Sequence, residues 1–304
     1  MPPILPTRKL GKNGPQAPTL GLGLMGLLFA YGKVESDEAR FKVLDRAFEL
    51  GETFWDSSDL YGDSERLVGK LFAKNPDKRK DIFLATKFAF VHMGDKPGPM
   101  IDSSPEYVKE AWRERLIILG SARFLQRHFV EPTRSPTLML YRSNTPFSTD
   151  IDSPEVGLLK TCRELGVAIV AYSPLGRLWN AQRCLQITSR RGLLPYLHSS
   201  LLSENFKRNL KLVDGMKTLA KTKNATTGQL TLAWLLAQGD DIFAIPSTKK
   251  IEYLEENLGA VKLELSKEEE AQIRKLVDAA EVHGGRYPDI MKYQCFADTP
   301  ALNA

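Results

Sequence analysis

The chain is poor in the residues that build disulfide frameworks and metal centres. It has three cysteines, Cys162, Cys184 and Cys295, and four histidines in 304 residues. An odd number of widely spaced cysteines indicates neither a disulfide scaffold nor a zinc site, so no metal is expected. A reducing compartment fits, and the cytoplasm is the expected location. Long apolar runs are missing too. The richest early stretch, Gly21 to Tyr31, is too short and too broken by glycine to span a bilayer. Met1-Pro2-Pro3-Ile4 lacks the charged and then apolar pattern of a secretory leader. Excess charge of one sign is small: 42 basic against 37 acidic residues leaves +5. Lys207–Lys211 and Lys217–Lys223 stand beside Glu204 and Asp214 and read as solvated helix faces. No basic stripe interleaved with aromatics is present, which argues against nucleic acid as a partner.

What the chain does have is apolar content, 42% of its residues, in a regular alternation of short runs and amphipathic segments. Strands are predicted at Thr19–Gly23, Thr53–Asp56, Asp81–Phe88, Thr137–Tyr141, Val167–Tyr172 and Ile242–Ile245, with a further candidate at Ile117–Leu119. Helices are predicted after Ser36, from Ser64, from Ser104-Pro105-Glu106 and from Ser153-Pro154-Glu155 to Gly166. Others cover about Glu204–Lys221, Thr227–Gln238 and Ile251–Leu258, and a last one opens with a Ser266/Glu269 capping box.

Strand-then-helix alternation means parallel strands joined by crossover helices. A closed barrel and an open doubly wound sheet both satisfy it. Gly21-Leu22-Gly23-Leu24-Met25-Gly26 follows the glycine spacing of a dinucleotide fingerprint only in part, because no helix opens at its last glycine. The barrel is therefore the expected fold: a TIM-type (β/α)8 barrel in one domain over 1–304. The rhythm breaks at 116–150, where the barrel is expected to be incomplete around strands 4–5, and residues 282–304 form a tail.

In a barrel of parallel strands, catalysis sits at the strand ends and the loops that follow. Asp56, Tyr61 and Lys87 lie at such ends. A phenol is a poor acid at neutral pH, but a nearby ammonium stabilises its phenolate, and a carboxylate holds that ammonium charged and in place. Such a tyrosine can protonate a carbonyl oxygen. The same residues are also consistent with a structural ion pair beside a packed aromatic. Ser247, Thr248 and Lys249, at the last strand end, suit a phosphate dianion or an ordinary exposed surface.

Longer strings carry more. Phe54-Trp55-Asp56-Ser57-Ser58-Asp59-Leu60-Tyr61-Gly62-Asp63-Ser64-Glu65 resembles the active-site strand and loop of aldo-keto reductases. Ala85-Thr86-Lys87-Phe88 resembles their lysine strand, and Ala171-Tyr172-Ser173-Pro174-Leu175-Gly176-Arg177 their loop over the cofactor pyrophosphate. Gln229 to Leu236 and Ile245 to Lys249 resemble the closing helix and the adenosine-phosphate segment. The resemblance covers about residues 7–110 and 147–280, in the family's order. It implies an NADPH-dependent reductase of aldehydes or ketones. By it, Tyr61 is the proton donor, Lys87 lowers its pKa and Asp56 supports Lys87 beside the cofactor. Ser173, Leu175 and Gly176 line the pyrophosphate, Ser247, Thr248 and Lys249 hold the 2′-phosphate, and Glu256 and Asn257 meet the adenine.

The chain departs from that family in its middle. The leucine-tyrosine-histidine run that ends the family's fourth strand does not occur. His92, His128, His198 and His283 all lie away from such a position. A strand-and-helix length of the family is missing between Gly120 and Pro146, and Ser121 is the best match for the serine that meets the nicotinamide amide. The intact Asp56–Tyr61–Lys87 set points to a reductase. The missing run points to an impaired or regulatory NADPH-binding barrel. Phe29, Tyr31, Met93, Tyr287, Met291 and Phe296 suggest an apolar pocket mouth. Neither the substrate nor the oligomeric state is readable from the sequence.

Overall fold

A computed structural model describes residues 5–27, 34–87, 90–92, 99–101, 157–175 and 203–280, with residues 104, 106–107, 109–111, 113 and 137–138 between them. Ten strands are described: β1 (Thr7–Lys9), β2 (Gln16–Pro18), β3 (Leu22–Gly23), β4 (Phe54–Asp56), β5 (Phe83–Ala85), β6 (Phe90–His92), β7 (Pro99–Ile101), β8 (Thr137–Leu138), β9 (Ala168–Tyr172) and β10 (Ile242–Ile245). The helices are α1 (Asp37–Glu49), α2 (Ser64–Lys74), α3 (Pro76–Asp81), α4 (Leu158–Leu165), α5 (Ser203–Thr222), α6 (Thr227–Ala237), α7 (Ile251–Leu258) and α8 (Lys267–Asp278).

Two parallel sheets, β3-β4-β5 and β8-β9-β10, share an edge. Parallel bridges pair Leu20 with Ala244 and Gly23 with Ser247, so the first strand lies against the last. Six parallel strands thus follow one another as β8-β9-β10-β3-β4-β5. Contact between the first and last strands is how a parallel sheet closes into a (β/α) barrel. Glycine permits the close approach. A Cβ on Gly23 would stand 2.8 Å from the Ile245 carbonyl oxygen, and one on Gly26 would stand 2.5 Å from Ser247 Oγ.

Alternate residues of each strand face opposite ways. Phe54, Ala168, Val170, Phe243 and Ile245 form one buried cluster inside the curve of the sheet, with the partly buried Phe83 packed against it. Its rings meet edge to face, Phe54 with Phe83 at 5.5 Å and with Phe243 at 6.1 Å. Leu10 and Ala17 of the antiparallel β1-β2 hairpin join that cluster and cover its floor. The other face, including Leu22, Trp55, Leu84 and Ala244, packs against Val43 and Leu44 of α1, Leu67 and Leu71 of α2 and Leu232 of α6. Trp55 stacks on Phe72 and donates its indole N–H to the Glu52 carbonyl at 2.7 Å.

The local rules account for most element ends. Ser36 caps α1 by accepting from the Ala39 amide, and Ser266 and Glu269 form the expected capping box on α8. Thr226 and Gln229 make a second box at α6. Within the expected Asp81–Phe88 strand, β5 covers Phe83–Ala85, and its start is delayed because Pro76 opens a short helix that runs to Asp81. Beyond β5, β6 pairs antiparallel with β7, Phe90 opposite Ile101 and His92 opposite Pro99. The expected irregular segment 116–150 lies outside the described residues except for β8, and so does the 282–304 tail.

Glu52, just before β4, is buried, and its Oε2 has no hydrogen-bond partner. Burial pushes its carboxyl well above the ordinary carboxylate range. A raised folded-state value means that the folded protein prefers the proton. The associated penalty is absent below the unfolded value near 4.5 and grows as the pH rises through the folded one. Glu52→Gln should therefore gain stability relative to the parent on going from acid to neutral pH. Urea unfolding of both proteins across that window checks it. A stability difference that does not change with pH contradicts the assignment.

Candidate active site

The loop after β4 and the end of β5 bring three of the expected residues together. Asp56, at the last position of β4, is 2% exposed. Lys87, just beyond β5, donates to Asp56 Oδ1 at 2.5 Å and to the Ser57 carbonyl at 2.7 Å. The Lys87 ammonium also lies 5.0 Å from the centroid of the Tyr61 ring. Burial pushes the Asp56 carboxyl above its usual range, and the Lys87 charge and hydrogen bond pull it part of the way back. The second oxygen, Asp56 Oδ2, is buried with no partner. An orphaned buried carboxylate oxygen is costly, and a ligand hydroxyl is one way to satisfy it.

A ring of contacts that sequence reading missed fixes this loop. Ser57 Oγ donates to Ser64 Oγ at 2.9 Å and closes the base of the loop. Thr86, next to Lys87, donates its hydroxyl to Glu65 Oε1 at 2.6 Å. The Asp59 amide bonds the Lys87 carbonyl at 3.0 Å, and the Tyr107 hydroxyl donates to Asp59 Oδ2 at 3.0 Å. Arg40 of α1 donates to both oxygens of Asp63, at 2.7 and 2.8 Å. Ser64 opens α2 as expected, with Asp63 at the N-cap position before it. No spacing rule reveals these pairs, because the partners lie 7 to 48 positions apart.

Of the residues expected at the cofactor, Ser173 and Leu175 follow β9, Ser247 to Lys249 follow β10, and Glu256 and Asn257 lie on α7. Ser173 follows β9 with a positive φ of 51°, a costly conformation for a serine and one that recurs at ligand clamps. A Cβ on Gly228 would lie 3.5 Å from Glu256 Oε1 and 3.9 Å from Leu175 Cδ2. The loop after β9, the start of α6 and α7 therefore converge. Asn257 is buried beside them. Gly176 lies outside the described residues.

At the end of β10, Ser247 Oγ donates to the Gly23 carbonyl at 2.5 Å and accepts from the Gly26 amide at 2.6 Å. Its hydroxyl proton is thus engaged in joining the last strand to the first. Thr248 Oγ1 accepts from the Lys250 amide at 3.1 Å, a local turn before α7. Lys249 is half-buried between them. Among the described residues no group of histidine, cysteine and carboxylate side chains could hold a metal ion, and no helix is long and apolar enough to cross a membrane.

A sequence profile of the Aldo/keto reductase family matches residues 19–140 and 145–278. The chain belongs to that family. Aldo-keto reductase str7 of Strobilurus tenacellus is 39% identical over 335 aligned positions, covering 93% of this chain and 95% of the relative. Aldo-keto reductase yakc of Schizosaccharomyces pombe, whose name carries NADP(+), is 37% identical over 344 positions, covering 98% and 99%. The crystal structure of the thermostable aldo-keto reductase Tm1743 with the inhibitor epalrestat aligns with TM-score 0.58 and 25% identity, over 90% of this chain and all of that one. The holo aldo-keto reductase AKR11C1 from Bacillus halodurans shares the fold at TM-score 0.64 and 22% identity, over 92% of this chain and 97% of that one.

Family membership bears out the barrel. The alignments to both fungal reductases run longer than the 304 residues of this chain, so each relative carries residues that this member of the family lacks. The family match itself breaks between residues 140 and 145. Ser121, His128 and His198 all lie outside the described residues, as do Phe29, Tyr31, Met93 and the aromatic residues of the tail.

Proposed function

We propose that this aldo-keto reductase reduces an aldehyde or ketone to an alcohol with NADPH, Tyr61 being the proton donor. The observation that carries the reading is the Lys87 ammonium, bonded to buried Asp56 and set 5.0 Å from the Tyr61 ring centroid. NADPH, when bound, would supply the hydride for the carbonyl carbon. As charge develops on the carbonyl oxygen, Tyr61 transfers its proton there, and Lys87 stabilises the phenolate that remains. Asp56 holds Lys87 through one oxygen, and its orphaned second oxygen suits a cofactor hydroxyl. Solvent returns the proton to Tyr61 after the alcohol leaves. The absence of the family's histidine run removes one group that orients the carbonyl, so turnover is expected to be weak.

Ser173, Leu175 and Gly176 are proposed for the pyrophosphate, Glu256 and Asn257 for the adenine, and Ser247, Thr248 and Lys249 for the 2′-phosphate. Donation from Ser247 Oγ would require its bond to Gly23 to be given up, so Lys249 carries most of the discrimination. A charge-assisted phosphate contact contributes about 1.5–3 kcal/mol. NADPH should then bind roughly tenfold or more tightly than NADH, a preference that Lys249→Glu abolishes. Titration of intrinsic fluorescence with each cofactor measures it. Equal affinities in the parent rule the phosphate site out.

A further inference from the structure

We propose that Arg40 is a positioning residue for Tyr61, acting through Asp63. The proposal rests on the reading of Tyr61 as proton donor and adds the device that places it. Arg40 lies in the first turn of α1, outside the strand ends, with only 5% of its side chain exposed. Its guanidinium grips both carboxylate oxygens of Asp63, and its Nη2 also donates to Asp37. Lys70 of α2 donates to the other oxygen of Asp37. The two helices that flank the catalytic loop are thereby locked together at the point where the loop ends. Asp63 itself is anomalous. It stands at the N-cap of α2, where aspartate ordinarily accepts from the helix's own amides, yet it makes no such bond. Both of its oxygens go to Arg40.

Asp63 is two residues from Tyr61, and the residue between them is Gly62 with φ of +54°, a conformation that glycine adopts without cost. The Tyr61 carbonyl accepts from the Ser64 amide at 3.0 Å, so Tyr61 also hangs from the first residue of α2. A permissive pivot beside the proton donor needs a fixed point on its far side, and the bidentate arginine supplies one. Without it, Gly62 lets Tyr61 sample positions away from Lys87, and a displacement of about 1 Å can cost as much as about 10²-fold in rate.

The test uses the full chain with NADPH and para-nitrobenzaldehyde. Arg40→Met keeps side-chain bulk and removes the charge. Asp63→Asn keeps shape and leaves Arg40 paired with Asp37, so it carries the test if Arg40→Met does not fold. Both should lower kcat roughly tenfold or more while the NADPH dissociation constant stays within about twofold. Arg40→Lys, which keeps the charge without the fork, should fall between them and the parent. The double variant should be no slower than the worse single one, because the Arg40–Asp63 contact is already broken in each.

A second readout does not depend on turnover. The phenolate titration of Tyr61, isolated by ultraviolet difference against Tyr61→Phe in each background, should move to higher pH when Arg40 is lost, because Lys87 no longer faces the ring. Unchanged kcat per folded molecule and an unmoved titration, with only stability reduced, would overturn the proposal. If Tyr61→Phe itself retains full turnover, the proton-donor reading fails, and the titration alone decides whether Arg40 places the ring.

Discussion

Replacing Tyr61 by phenylalanine should lower kcat by about 10²–10⁴-fold and leave NADPH affinity nearly unchanged. The substitution deletes one hydroxyl and keeps the ring that lies against Lys87. The ring packs against the main apolar cluster only at its edge, half-buried, so the fold has little reason to respond. The loss is then confined to the proton that must reach the carbonyl oxygen as the hydride arrives. Steady-state assays with para-nitrobenzaldehyde, run beside cofactor titrations, separate the two quantities. Turnover equal to the parent's places the proton donor elsewhere. Loss of NADPH affinity by more than tenfold would show that the hydroxyl serves binding.

Lys87→Met should do two kinds of damage. It removes the cation proposed to stabilise the Tyr61 phenolate, and a rate loss of about 10²-fold or more is expected. It also leaves Asp56, 2% exposed, as a buried carboxylate without its ion-pair partner. Breaking one side of a buried pair costs about 3–5 kcal/mol. The pH dependence follows from the direction of the Asp56 shift, which is upward even with Lys87 present. Without the ammonium it rises further. The destabilisation should be small below the unfolded carboxyl value near 3.8 and should grow as the pH rises to neutrality. Adding Asp56→Leu should recover stability and leave turnover lost, which isolates the catalytic part. A pH-independent loss, or turnover restored by the double change, would contradict the assigned roles.

How much could be read from the residues depended on the range of the interactions involved. β10 and α7 have the expected bounds because their ends are set locally, by Gly239 and Pro246 around the strand and by Gly259 after the helix. The barrel was legible because strand–helix alternation with buried apolar runs leaves few architectures. The β1-β2 hairpin was not, since Thr7–Lys9 and Gln16–Pro18 show no alternating apolar pattern and are held by pairing with each other. The same divide runs through the site. Asp56, Tyr61 and Lys87 stand at strand ends, where a barrel carries its chemistry, and their strings resemble a family. Arg40, Glu65 and Tyr107 act through contacts that only the folded chain creates. Ser247 shows the reverse. Its position in a phosphate-like string was readable, but its commitment to Gly23 and Gly26 across the closing seam was not.

The central claim, that this barrel transfers a hydride to a carbonyl with Tyr61 supplying the proton, is tested most directly by following the label. The full chain is incubated with NADPH deuterated at the transferable position and with para-nitrobenzaldehyde, and the product is examined by mass spectrometry. The account predicts para-nitrobenzyl alcohol carrying the deuterium at its benzylic carbon, formed slowly by the parent and at least about 10²-fold more slowly by Tyr61→Phe. Alcohol without the label, or labelled alcohol formed equally fast by both proteins, contradicts it.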